Sequence, residues 1–64
     1  MRVQYYPASD MLTIDLTDRP ASGGGEELKE GFVLFYDEQD RLVSIEIEGA
    51  SRRVDLTAIK ADPS

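Results

Sequence analysis

Apolar and polar residues alternate along four stretches of the chain, and the alternation predicts a small β sheet. Arg2-Val3-Gln4-Tyr5-Tyr6 puts Val3 and Tyr5 on one side of an extended segment over 2–6. Pro7-Ala8-Ser9-Asp10 follows as a tight connection. Pro7, with its fixed φ and no N–H, suits the second position of a type I turn starting at Tyr6. In 11–16, Leu12, Ile14 and Leu16 point one way while Thr13 and Asp15 point the other, the cleanest period-two signal in the chain. Residues 28–36 read as a third strand. Leu28, Phe32, Leu34 and Tyr36 share one face, Val33 and Phe35 lie on the opposite face, and Gly31 marks a bulge or bend. Asp37-Glu38-Gln39-Asp40 is a reverse turn in which Asp40 tolerates a left-handed conformation. Residues 42–48 form the fourth strand, with Val43, Ile45 and Ile47 inward, Ser44, Glu46 and Glu48 outward, and Gly49 at its end.

Between the second and third strands, 18–26 reads as a flexible loop, because three consecutive glycines have no side chain to pack. A phosphate-cradling loop would need Lys-Ser/Thr after its glycines, and Glu26-Glu27 stand there instead. After the fourth strand, Val54, Leu56 and Ile59 are placed to cover one sheet face from one or two short helical turns, with Asp55 as a cap. Residues 61–64 read as a disordered tail. The fold expected is mainly β, or small α+β: one domain over 1–60, built as a four-stranded antiparallel meander with a short C-terminal helical segment.

One face of that sheet collects Val3, Tyr5, Leu12, Ile14, Leu16, Leu28, Phe32, Leu34, Tyr36, Val43, Ile45 and Ile47. The other carries Tyr6, Met11, Val33, Phe35 and Leu42 among Gln4, Thr13, Asp15, Ser44, Glu46 and Glu48, with Val33 and Phe35 mid-sheet and Met11 and Leu42 expected as their cross-strand neighbours. Either the C-terminal segment or another protein surface covers this second patch. The reading taken here is a protein interface made of Met11, Val33, Phe35 and Leu42, in a homodimer or higher homo-oligomer.

Composition narrows the function further. Leu, Ile, Val and Phe make up a quarter of the 64 residues, enough for a folded but thin core. There is no Cys for a disulfide, and without Cys or His there is no structural zinc site, so oligomerisation is the staple left to so small a domain. The same absence removes the usual general base and the usual thiolate, and Ser9, Ser22, Ser44 and Ser51 have no His to activate them. Asp10, between turn and strand, is expected to cap its own turn through its side chain. The twelve residues from Asp37 to Glu48 begin and end on acids, but Arg41 and Leu42 occupy the fifth and sixth positions, where a calcium loop needs an oxygen ligand and Gly. No catalytic residue, cofactor or metal is expected.

Thirteen Asp and Glu against seven Lys and Arg give a net charge of −6, divided evenly at −3 in each half of the chain. With no basic patch, nucleic acid is an unsuitable partner, whereas a basic protein is a suitable one. No apolar run approaches the ~20 residues of a membrane span, and Pro7 and Asp10 interrupt what a signal peptide needs. The expected location is cytoplasmic.

Two segments carry a family likeness. Tyr6-Pro7-Ala8-Ser9-Asp10-Met11-Leu12-Thr13-Ile14-Asp15-Leu16 resembles the opening signature of short prokaryotic proteins grouped as domain of unknown function family 2283 (DUF2283). Glu30-Gly31-Phe32-Val33-Leu34-Phe35-Tyr36-Asp37, Arg41-Leu42-Val43-Ser44-Ile45-Glu46-Ile47 and Ala50-Ser51 resemble its closing signature. The family usually has Gly where this chain has Asp40, and a polar residue where it has Phe35. The resemblance implies a small, mostly β domain with no established activity and no catalytic residue to carry over. It also implies, by analogy, a companion of small toxin-like proteins in bacterial gene pairs. The function expected is a non-enzymatic acidic β module acting through self-association or protein binding. The alternatives are an antitoxin-like neutraliser of a basic partner and a carboxylate/tyrosine site at a subunit interface.

Overall fold

Two hairpins are joined by a strand that lies between them. The computed structural model describes residues 1–57. β1 (Arg2–Tyr6) and β2 (Met11–Asp15) form the first hairpin, in register from Arg2 opposite Asp15 to Tyr6 opposite Met11. Ser9 N–H donates to the Tyr6 carbonyl at 3.3 Å, which closes the turn begun by Pro7 as its sequence predicts. β3 (Glu26–Lys29) and β4 (Phe32–Tyr36) form the second hairpin, and β5 (Leu42–Glu48) pairs with β4 on one side and β2 on the other. A single helical turn, α1 (Ala50–Arg53), closes the described chain.

The sheet therefore has five antiparallel strands in the order β1-β2-β5-β4-β3, where four in sequential order were expected. β3, β4 and β5 are joined by successive hairpins. β2, reached by the long 16–25 connection, returns beside β5, which is a Greek-key arrangement read against chain direction. The extra strand arises at Gly31. Its φ of +88°, a value L residues rarely adopt, reverses the chain where a bend within one strand was expected. The two-residue turn by itself would swap the odd–even phase, since it sets Lys29 opposite Phe32. The register shift between Glu27 and Lys29 restores it, with Glu27 opposite Val33 and Glu26 opposite Leu34, so periodicity could not reveal the reversal.

The apolar face has the predicted membership with one main exception. Cross-strand partners form two rows: Tyr5–Leu12–Ile47–Phe32, and Val3–Ile14–Ile45–Leu34. α1 lies on the first row, where Ala50, Leu12 and Ile47 form the buried cluster and Val54 and Leu56 pack against it. Val43 is buried as well. Leu28, expected inward, is 70% exposed, because β3 is an edge strand whose register shifts between Glu27 and Lys29. The molecule is only 17 Å thick along its shortest axis, a single sheet with a partial cover. Ile59 and the tail 61–64 lie outside the described residues.

Exposure separates the leucines of the N-terminal hairpin. Leu12 is 1% exposed and Leu16 40%. Leu12→Ala is expected to cost about 2–5 kcal/mol, and Leu16→Ala within ~0.5 kcal/mol. Urea unfolding followed by circular dichroism measures both, and equal losses would contradict the placement of the core.

Candidate functional site

Two carboxylates organise the polar part of the molecule, and both sit where the chain turns. Asp37 follows β4 and is 8% exposed. Its Oδ1 accepts from Gln39 N–H at 2.8 Å and Arg41 N–H at 3.0 Å, and its Oδ2 accepts from Arg41 Nε at 2.9 Å. Arg19 Nη1 stands 4.0 Å from the same Oδ2, so the long loop is held to the β4–β5 turn. Ser22 N–H, donating to the Tyr36 carbonyl at 2.8 Å, adds a second tie. Arg41 Nη2 also donates to Gln39 Oε1. Asp40 takes the left-handed conformation expected of it, with φ +61°. The Arg41 backbone N–H is the main cause that holds the Asp37 carboxyl below its ordinary pKa, with the Gln39 N–H and the Arg41 side chain adding to it.

Asp10 closes the β1–β2 turn just before Met11 and, like Asp40, is left-handed, with φ +52°. Its carboxylate does not cap its own turn. Oδ1 accepts from Tyr5 OH at 2.7 Å and from Ser51 N–H at 3.0 Å, and Oδ2 accepts from Ser51 Oγ at 2.8 Å. The Asp10 backbone carbonyl accepts from Ala50 N–H at 2.9 Å. α1 is preceded by Gly49, which has no side chain to cap it, and Asp10 supplies the missing acceptors from 41 residues away. On the far side, Arg53 Nε donates to the Glu48 carbonyl at 2.7 Å and its guanidinium lies over the Phe32 ring, 5.5 Å from the centroid. Asp55, expected as a helix cap, follows α1 and accepts from Thr57 N–H at 3.0 Å.

The chemistry of this cluster is structural. The Tyr5 hydroxyl is the main cause that pushes the Asp10 carboxyl down, followed by the Ser51 hydroxyl. In return the bond to Asp10 raises the Tyr5 hydroxyl. A carboxylate with a lowered pKa is a poor base for activating Ser51. Among the described residues, no group of three His, Cys, Asp or Glu side chains is placed to hold a metal ion. A depression of about 450 Å³ lined by Arg2, Asp15, Asp18 and Arg19 mixes both signs of charge.

Residues 2–51 match the family described as Protein of unknown function (DUF2283). The chain belongs to that family. In this DUF2283 member the matched span runs from the first strand to Ser51, the residue that Asp10 holds, so the opening and closing signatures meet in space through that contact. No curated protein and no solved structure shows a significant match to the chain. No described helix is long and apolar enough to cross a membrane.

The four residues read as an interface are distributed by the register. Val33 lies opposite Glu46, Phe35 opposite Ser44, Met11 opposite Glu48 and Leu42 opposite Tyr36, so the four do not meet as cross-strand neighbours. Val33 and Phe35 instead lean over Gly25. A Cβ built there would stand 2.3 Å from Val33 Cγ1 and 2.9 Å from the Phe35 ring, so only glycine fits. Sequence reasoning missed the tie from Asp10 to Ser51. Its one signal was a helix start with an uncapped Gly49.

Both lowered carboxyls predict the acid behaviour. Their folded pKa values lie below the ordinary ~3.9, so their stabilisation is complete above that pH and is lost as pH falls through the folded values. Stability is expected to drop below about pH 4. Asp10→Asn combined with Asp37→Asn flattens that limb. Urea midpoints between pH 2.5 and 7 are the check, and a wild-type midpoint constant below pH 4 would contradict the assignment.

Proposed function

We propose that this DUF2283 protein is a non-enzymatic association module whose apolar sheet face packs on a second copy of the chain. The row Val3–Ile14–Ile45–Leu34 carries the reading: four apolar side chains side by side across four strands, and none of them buried. Val3, Ile14 and Ile45 pack along the side of the Leu12–Ile47–Ala50 cluster, which Val54 and Leu56 also join, and keep part of their surface open. A contiguous apolar row left half-covered is the composition of a contact surface, and stacking on another sheet ~10 Å away would turn it into core. The row meets a charged side chain only at its β3 end, at Glu26, so two acidic copies can approach with their carboxylates at the rim. The non-enzymatic part of the reading rests on the missing His and Cys and on a carboxylate tuned away from base chemistry.

A second reading, capture of a small basic toxin-like protein, draws on the family resemblance and on a net charge of −6 with Glu26, Glu27 and Glu30 exposed on the β3 hairpin. Such a complex would weaken steeply with salt, whereas apolar stacking would not.

Light scattering across a concentration series tests the first reading. The wild type is expected above monomer mass. Ile45→Glu should at least halve that mass with the β spectrum retained, and Glu46→Gln on the opposite face should leave it unchanged. Leu34→Glu repeats the test if Ile45→Glu does not fold. A monomeric wild type at millimolar concentration would overturn the reading.

A further inference from the structure

The two edges of the sheet are built differently. β3 has four residues, a register shift between Glu27 and Lys29, and three charged side chains. Bulges and charges are the devices by which natural sheets blunt an edge. β1 has five residues in unbroken register with β2 and carries neither proline nor carboxylate, in a chain of net charge −6. Its one charged side chain is Arg2 and it has no bulge, so it is the less protected of the two edges.

The ladder shows which backbone groups are available there. Leu16 N–H donates to the Val43 carbonyl at 2.8 Å, so along β2 the even-numbered residues direct their backbone groups toward β5. The odd ones, Met11, Thr13 and Asp15, face Tyr6, Gln4 and Arg2. On β1 the N–H and C=O groups of Val3 and Tyr5 therefore point away from the sheet, and no described strand lies beside them.

We infer that β1 pairs antiparallel with β1 of a second copy, about a two-fold axis at Gln4 normal to the sheet. In this register Val3 lies opposite the partner's Tyr5, and Tyr5 opposite the partner's Val3, so all four outward groups of each strand find partners. Arg2 comes opposite the partner's Tyr6, and the two Gln4 side chains meet across the axis. No carboxylate of β1 is brought near another. The axis keeps both apolar faces on the same side, so the row Val3–Ile14–Ile45–Leu34 continues into the partner's row Tyr5–Leu12–Ile47–Phe32. Magnitude favours this arrangement. Five strands ~4.8 Å apart and five residues long at ~3.4 Å each give one face a flat footprint of roughly 400 Å², about half of the ~800 Å² per partner in a standard interface. Two edge-joined sheets reach that size.

This inference rests on the self-association proposed above and adds a second contact, so the test separates the two. Light scattering is applied to the wild type, to Ile45→Glu and to Val3→Pro, each checked for folding by circular dichroism. Proline at position 3 removes an outward N–H and no bond of the ladder within the chain. Ile45→Glu, with its face contact removed, is expected at twice the monomer mass. Adding Val3→Pro to it should give the monomer. Gln4→Lys, which sets two cations against each other across the axis, should weaken the dimer at least tenfold at low salt and serves if Val3→Pro fails to fold. An Ile45→Glu monomer beside an oligomeric wild type would overturn the edge pairing and leave the face reading standing. A dimer that persists in the double variant would also overturn it. A monomeric wild type would remove both.

Discussion

The fold depends on β5 entering between two hairpins that otherwise share only a loop. An isolated two-stranded hairpin is marginal in water. β5 pairs with β2 along one side and β4 along the other, and it brings Ile47 between Leu12 and Phe32, and Ile45 between Ile14 and Leu34. Both apolar rows exist only because of that insertion. The buried part of the molecule is correspondingly small: Leu12, Val43, Ile47 and Ala50 are its buried apolar side chains among the described residues. A sheet of five strands with so little covered has most of its apolar face near water, and that condition frames any account of what the protein does.

The cover is held by polar contacts more than by area. α1 has a single turn, too short to persist by itself. Asp10 holds its first two N–H groups and the Ser51 hydroxyl, while Arg53 spans from the Glu48 carbonyl to the face of Phe32. Gly31 approaches the same guanidinium so closely that a Cβ would stand 2.6 Å from it. The reversal of the β3–β4 hairpin, the seating of α1 and the β1–β2 turn are thus parts of one contact region. Of the residues that make it, Asp10, Gly31, Phe32, Glu48, Ala50 and Ser51 lie within the span that matches DUF2283 and Arg53 lies just beyond it.

Much of the architecture was legible because period-two alternation reports local geometry. The bounds of β1 and β5, the turn begun by Pro7, the left-handed Asp40 and the membership of the apolar face were all readable from residue order. The reading failed where local signals are degenerate. The register shift at Leu28 cancels the change of phase that the two-residue turn introduces, so β3 and β4 looked like one strand and Leu28 looked like core. The patch expected around Val33 and Phe35 assumed neighbours that the register does not supply, since Glu46 and Ser44 stand opposite them. Strand order is a matter of long-range pairing, and a sequential meander was the simplest order consistent with the local pattern.

By itself, then, the sequence determined which residues are extended, which side chains share a face and how little core there is to bury, because these follow from side-chain type and the alternation of a pleated strand. It also determined the evenly spread negative charge and the lack of His and Cys. Only the tertiary structure decided that β5 lies at the centre, that Asp10 serves α1 and not its own turn, that Phe35 covers Gly25, and that β1 is the edge without a bulge. Each of these depends on which distant segments become neighbours, and that choice is made by the combined burial and hydrogen bonding of the whole sheet.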